Sequence, residues 1–416
     1  MCLNGHSVIV KELVHERYEE CMRITKDSRI ARLTIADLAK AARLRRKQTL
    51  NMMRELVEIE SPSADKNAVD RCMQLVAAYC AEVEGKIRWH QQRAYGDVLE
   101  ARFQADPSAA RSGKRPLLLL GHLDTVWPVG TLAKMRFKTS SSRIFGPGVL
   151  DMKAGVAMAL SALDILRERQ ALTRPVVLLL NSDEEIGSPV SRPITEAVAR
   201  ECEAVFVLEP GQGADGAYKT SRKGTGDYIL RVKGVAAHAG VDFASGHSAV
   251  LELARQIQKI ATFTGKEQGL TVNPGVIGGG TLPNVIAAEA WAHVDFRYLR
   301  ASHAKKIERM FRELRPMDKK CTVEAVGGMN RPPMERTKGT ARLFAKAATL
   351  AAELGFVLQE ATTGGGSDGN FTAAIGVPTL DGMGAVGEGA HASNESILIE
   401  HLAPRTALLA AMIASL

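Results

Sequence analysis

With 416 residues, 45% of them apolar, 24% charged and 5% aromatic, the chain has the composition of a folded globular protein of two or three domains, or of one large catalytic domain with an insertion. Its longest uninterrupted apolar run, Ala407 to Ala414, is far shorter than the roughly 18 to 20 residues that cross a bilayer, which excludes a transmembrane helix. The net charge of +8 is concentrated early: residues 1–54 hold 12 Lys and Arg against 6 Asp and Glu, and the rest is nearly balanced, so no basic face for nucleic acid is indicated. The start lacks the basic and apolar regions of a secretory signal, and the six cysteines are scattered without a CxxC pair. A cytoplasmic protein with reduced thiols is expected, with neither membrane nor nucleic acid as partner. Any metal must then be held by histidines and carboxylates.

In chain order, residues 1–47 read as a helical leader of unknown role. From Thr49 the periodicity sharpens, with Leu50, Met53, Leu56 and Val57 on one face until Ser61-Pro62-Ser63 stops the helix. A second helix is expected from Asn67 to Ala81. Continuous apolar runs at Leu117 to Leu120, Val176 to Leu180 and Ala204 to Leu208 read as central strands covered on both faces, with a helix from Ala154 to Arg169 between the first two. From Lys219 to Gly328 the texture changes. Strands at Tyr228 to Val232, Leu270 to Val276, Val285 to Leu299 and Thr322 to Val326 alternate with helices at Ser248 to Thr262 and Ser302 to Leu314, giving a β-α-β-β-α-β unit. After Arg331-Pro332-Pro333 the first texture returns, with a helix from Thr340 to Leu354 and a strand near Val377 to Leu380. The expectation is an α/β catalytic domain, residues 48–218 and 329–416, with a mostly parallel central sheet, interrupted by a smaller α+β domain at 219–328.

The chemistry-bearing residues follow the strands, where open α/β sheets collect ligands. His122 and Asp124, in Gly121-His122-Leu123-Asp124, point to one side, so His122 can bind a metal through one nitrogen while Asp124 holds the other. Asp151 sits where a glycine-rich turn enters a helix. Asp183-Glu184-Glu185 packs three acids at a strand end, which is costly unless cations or protons neutralise them. Glu209 ends the third buried strand, and His391 lies in the loop after the last one. Taken singly each residue is an ordinary polar side chain; together, H-x-D, D, E-E, E and H at strand ends are hard to assemble by accident. Nitrogen and oxygen ligands without sulfur suit Zn, Co or Mn. Two ions roughly 3.5 to 4 Å apart need a shared carboxylate and two flanking sets, and this inventory supplies them with one adjacent Glu left over as a base.

These motifs, with Asp183-Glu184-Glu185-Ile186-Gly187-Ser188, Ala237-His238-Ala239-Gly240 and Thr363-Gly364-Gly365-Gly366-Ser367-Asp368, resemble the zinc-dependent family of glutamate carboxypeptidase, acetylornithine deacetylase, succinyl-diaminopimelate desuccinylase and aminoacylase. The resemblance covers about residues 48–416 and is nearest the glutamate carboxypeptidase branch. It implies two zincs bridged by Asp151, with His122 and Glu209 on one and Glu185 and His391 on the other. It makes Glu184 the general base toward a metal-bridging water, Asp124 the residue that orients His122, and the Asp151-Met152 peptide cis. It further implies that the inserted domain is a lid and homodimer interface, that His238 stabilises the oxyanion in the partner subunit, and that Arg297 grips a free substrate carboxylate with help from Asn284 and the backbone of Gly365. Arg331 stands where the branch reads an acidic side chain, although its neighbours Met329-Asn330 and Pro332-Pro333 depart from the pattern. The implied activity is release of a C-terminal amino acid from a small peptide. Deacylation of an N-acyl amino acid is the alternative, and a catalytically inactive peptide-binding relative a distant one.

Overall fold

The computed structural model describes residues 33–107, 109 and 113–416. Its main sheet has six strands, in the spatial order β1 (Lys86–His90), β2 (Val98–Phe103), β4 (Val176–Asn181), β3 (Leu117–His122), β5 (Ala204–Val207) and β12 (Thr379–Leu380). The four from β4 to β12 run parallel, and β1 and β2 add an antiparallel edge. Every residue of β3 and β4 is buried. Alternate side chains explain this: Leu117, Leu119, Leu178 and Leu180 enter one core, and Leu118, Leu120, Val177 and Leu179 the other. At about 1.5–3 kcal/mol for each buried leucine or valine, both faces favour this register.

The larger core is covered by α1 (Ile35–Glu58), α3 (Ala154–Glu168) and α9 (Ile399–Ser415). Thr34 and Asp37 form a capping box at the start of α1. The helix expected from Thr49 therefore begins at Ile35 and runs through Lys47 without a break. Arg45, one of the basic cluster near that point, pairs with Asp164 at 2.7 Å and with Glu168, both on α3. Residues 1–32 of the expected leader lie outside the described residues. The second helix, α2 (Lys66–Glu82), matches its pattern closely. Smaller α4 (Arg192–Glu201) and α8 (Gly369–Ala374) lie on the opposite face of the sheet.

Between the two halves of this body, β6 (Tyr218–Arg222) pairs in parallel with β11 (Glu360–Thr363). A separate antiparallel sheet then forms, ordered β8 (Thr271–Gly279), β9 (Glu289–Tyr298), β7 (Gly224–Lys233) and β10 (Thr322–Arg331). One face carries α5 (Ala249–Ala261) and α6 (Ala304–Arg312) over its own core, where Tyr228 stacks on Phe311 at 4.2 Å. This β-α-β-β-α-β unit is the smaller α+β domain. Two details differ from the sequence reading. Val285 to Ala288 is not strand, because Val285 bridges His238 and Ala287 accepts the capping Ala249 N–H of α5. And β10 extends to Arg331, past the glycines Gly327 and Gly328 that hide its alternation. Back in the body, α7 (Lys338–Glu353) follows as expected. Among the described residues no helix is long and apolar enough to cross a membrane.

Candidate metal centre

The parallel strands converge on one rim. His122 is the last residue of β3, Glu184 and Glu185 follow β4 by a short turn, and Glu209 follows β5. Asp151 arrives from the turn before α3, where the Asp151-Met152 peptide is cis. His391 arrives from the loop before α9 with a left-handed backbone, φ 62°.

Their side chains form two groups that share Asp151. His122 Nε2 lies 3.3 Å from Asp151 Oδ1 and 3.6 Å from Glu209 Oε1. His391 Nε2 lies 3.3 Å from Asp151 Oδ2 and 3.1 Å from Glu185 Oε2. Each oxygen of Asp151 thus serves a different histidine. Metal bonds of about 2.0–2.2 Å at tetrahedral angles set neighbouring ligand atoms roughly 3.3–3.6 Å apart, and three of the four separations fall in that range, with His391 to Glu185 slightly shorter at 3.1 Å. His122 Nε2, Asp151 Oδ1 and Glu185 Oε1 are also buried without a hydrogen-bond partner, a cost that cations would remove. The residues therefore fit a pair of divalent ions with nitrogen and oxygen ligands.

Protonation behaviour agrees. Burial pushes the Glu185 carboxyl up to about 7, and hydrogen bonds to Asp151 and Glu185 push His391 up to about 10. Despite its burial, Asp151 is held below the carboxylate range by the imidazoles of His122 and His391 that flank it. Divalent ions held by these atoms would compete with protons for them, so that metal binding is tied to proton release.

The surrounding shell is dense. His122 Nδ1 is 3.0 Å from the Asp124 carbonyl and 3.4 Å from its carboxylate. The Asp124 carboxylate accepts from Ser63 Oγ at 2.7 Å and from the backbone N–H groups of Glu184 and Glu185 at 3.2 and 3.1 Å. One buried acid therefore links the first histidine to the acidic turn. Burial raises the Glu184 carboxyl well above its usual range, with Arg331 pulling the other way.

Arg331 is turned inward. Its Nη2 lies 2.9 Å from Glu184 Oε1 and 3.0 Å from both Ser188 Oγ and the Glu184 carbonyl, its Nη1 2.5 Å from Asp368 Oδ1, and its guanidinium stacks on Phe371. Arg222 plays a comparable part near Glu209, reaching its Oε2 at 3.3 Å, both oxygens of Asp381, and the carbonyls of Gly365 and Gly366.

The other expected site residues lie in the smaller domain. His238 and Asn284 are neighbours there, since Ala239 N–H donates to the Asn284 carbonyl and His238 bridges Val285. His238 Nδ1 accepts from the backbone N–H groups of Gly240 and Val241, both at 3.1 Å. A neutral ring so held carries its proton on the exposed Nε2. Arg297 on β9 is engaged by Asp295, with its Nε 2.9 and 3.0 Å from the two carboxylate oxygens. Among the described residues none of these three bonds to the His122–His391 cluster within one chain.

Sequence reasoning missed Ser63, Arg222, Asp381 and Glu395. Ser63 was visible only as part of a helix stop, and Arg222 and Asp381 follow no motif; Glu395 closes the His391 loop, where only the histidine was singled out.

Comparison with known proteins agrees with this geometry. The family model for Peptidase family M20/M25/M40 matches residues 118–415. Carboxypeptidase G2 of Pseudomonas sp. (strain RS-16) is 30% identical over 306 residues, covering 72% of this chain and 73% of that protein. Succinyl-diaminopimelate desuccinylase of Delftia acidovorans is 28% identical over 327 residues, covering 71% and 81%. Among solved structures, the Bacillus subtilis YXEP protein, described as a dinuclear metal-binding peptidase of the M20 family, superimposes with a TM-score of 0.66 at 16% identity, covering 89% of this chain and 98% of that one. The shared sheet, the paired ligand groups and these matches lead to one conclusion: the chain belongs to Peptidase family M20/M25/M40 and is a metal-dependent hydrolase.

Proposed function

We propose that the chain is a dinuclear zinc hydrolase that cleaves an amide bond next to a free carboxylate and releases a C-terminal amino acid. The observation that carries this reading is Asp151, which turns one oxygen to each of two ligand groups. Two ions held there by His122, Glu209, Glu185 and His391 supply Lewis-acid polarisation of the carbonyl and a water of lowered pKa, with Co or Mn as workable substitutes. Glu184 is the general base: it takes the proton of the attacking water and passes it to the leaving amine. Its buried position, held by Arg331, supports that role. Asp124 orients His122. His238 donates its Nε2 proton to the developing oxyanion, a form its two backbone partners favour. Arg297, released from Asp295, binds the substrate carboxylate as a planar fork, helped by Asn284 and Gly365.

In this reading residues 219–328 form the lid and the homodimer interface. Strand β8 supports it, since among the described residues one of its edges has no partner strand and Val276, Ile277 and the nearby Leu282 are exposed. The described cysteines Cys72, Cys80, Cys202 and Cys321 are free and buried, which suits a cytoplasmic setting. The likeness to a carboxypeptidase at 30% identity supports release of a C-terminal amino acid. One observation favours deacylation of N-acyl amino acids as a second reading: the Arg331 guanidinium is already shared by Glu184 and Asp368, so an acidic substrate side chain must compete for it.

Amine release by zinc-loaded protein from C-terminal glutamyl, aspartyl and leucyl dipeptides and from N-acyl amino acids separates the two, with Glu184→Gln as the blank. Preference for glutamyl dipeptides supports the first reading, and preference for acylated apolar amino acids the second. No release from any of them, with two ions bound, would sink both.

A further inference from the structure

Glu395 lies four residues beyond His391 and is 1% exposed. Its carboxylate is met by four N–H groups. Oε1 accepts from the backbone of Leu150 at 2.8 Å and Asp151 at 3.1 Å. Oε2 accepts from the backbone of Gly148 and the indole of Trp127, both at 2.8 Å. These donors come from two separate segments, the turn that delivers Asp151 and the loop that follows Asp124. The Glu395 backbone N–H donates in turn to the Ala392 carbonyl at 2.9 Å, closing the His391 loop. One side chain therefore joins the three segments that carry His122, Asp151 and His391.

An ionised carboxylate is acceptor-only, with about four lone-pair sites, and here each oxygen receives two donors. A glutamine would keep one oxygen and turn its NH2 against two N–H groups, leaving buried donors unmet. The arrangement thus requires the charged acid, and the structure offers a reason for it: the backbone amide of Asp151 is one of the four donors.

We propose that Glu395 is a positioning residue for the metal pair. By fixing the Gly148–Asp151 backbone it sets the direction of the two Asp151 oxygens toward His122 and His391. The inference rests on the dinuclear reading above.

The test uses full-length protein stripped with a chelator and titrated with Co(II) and Zn(II) against a chromophoric chelator. The visible spectrum of the Co(II) form reports ligand geometry. Glu395→Gln is expected to weaken metal binding about 10- to 100-fold, as loss of an outer partner of metal ligands does, and to alter the Co(II) spectrum. Asp106→Asn is the control. Asp106 is also a buried carboxylate, but it holds Leu172 and Arg167, so its loss should lower Tm and leave metal affinity unchanged. If Glu395→Gln does not fold, Trp127→Phe removes a single donor and should weaken binding about fivefold. Wild-type protein that binds two ions, with Glu395→Gln, or Trp127→Phe in its place, matching its affinity and spectrum, overturns the inference alone. Wild-type protein that takes up no metal overturns the dinuclear reading and the inference together.

Discussion

The two sheets of this molecule solve different problems. In the body, β3 and β4 are buried along their whole length, and their side chains alternate between two cores. Chemistry appears only where those strands stop, so His122 and the acidic turn are held by elements that cannot shift without opening a core. In the smaller domain, strand residues alternate between a buried face under α5 and α6 and a wet face. Its candidate site residues sit on that wet face or in loops, and Arg297 is occupied by Asp295. A rigid rim presents the candidate metal ligands, and a thinner, half-exposed layer presents the groups proposed above to meet the substrate.

The largest expected effect belongs to the rim. Glu184→Gln should lower kcat about 10³- to 10⁴-fold while elemental analysis finds the wild-type metal content. Activity within tenfold of wild type would remove Glu184 from the role of base. In the lid, His238→Ala should lower kcat about 10²- to 10³-fold with little change in KM. If His238 serves the partner subunit, mixing the two inactive variants and allowing subunits to exchange should restore part of the activity. No recovery in demonstrably mixed dimers would place His238 in its own subunit or outside the reaction.

The same contrast explains what the sequence disclosed. The apolar runs at Leu117 and Val176 announce the body because burial on both faces demands them, and residues at their ends inherit a location. Strand β2 was hidden because Glu100 interrupts its run; that acid is buried and satisfied by His90 at 2.7 Å and Arg102 at 2.5 Å. Strand β1 was hidden because its alternation, Ile87 and Trp89 between Lys86, Arg88 and His90, spans only five residues and buries neither apolar side chain fully. In the site, the residues of the two clustered groups stood out in the sequence as polar groups at strand ends, a helix entry and a loop, while Ser63, Arg222 and Glu395 did not. They act across sequence separations of 61, 13 and 244 residues, as in Ser63 to Asp124, Arg222 to Glu209 and Glu395 to Asp151, and no local period encodes such pairs. The inward turn of Arg331 was equally invisible, since it depends on Asp368 arriving from a distant loop.

Packing offers a sharper version of the comparison at smaller energy. Leu178 on β4 is fully buried, and Leu178→Ala should cost about 3 kcal/mol or more in urea unfolding. Val326 on β10 is 39% exposed, and Val326→Ala should stay within about 0.5 kcal/mol. Similar losses from the two would mean that the wet face of the lid sheet is covered in solution, as a dimer contact spreading beyond the β8 edge would cover it.

The smallest expected effect is a pH dependence confined to the lid. Glu252 on α5 is fully buried and accepts from Gln256 at 2.7 Å and from the backbone of Met317 and Asp318 at 2.9 and 3.0 Å. Burial opposes its ionisation, but these three donors outweigh it and hold the carboxyl below its ordinary value. A group whose folded pKa is depressed adds stability that is fully present above the unfolded value, near 4.3, and is lost as pH falls through the folded value. Glu252→Gln should therefore lower the melting temperature by a few degrees at pH 7, and the gap to wild type should narrow as the pH is taken below about 4. The body rim should not share in this change, because Glu252 anchors only the loop after α6. A gap that stays constant from pH 7 to 3.5 would show that the donors hold the Glu252 side chain by shape, with its charge contributing nothing to the lid.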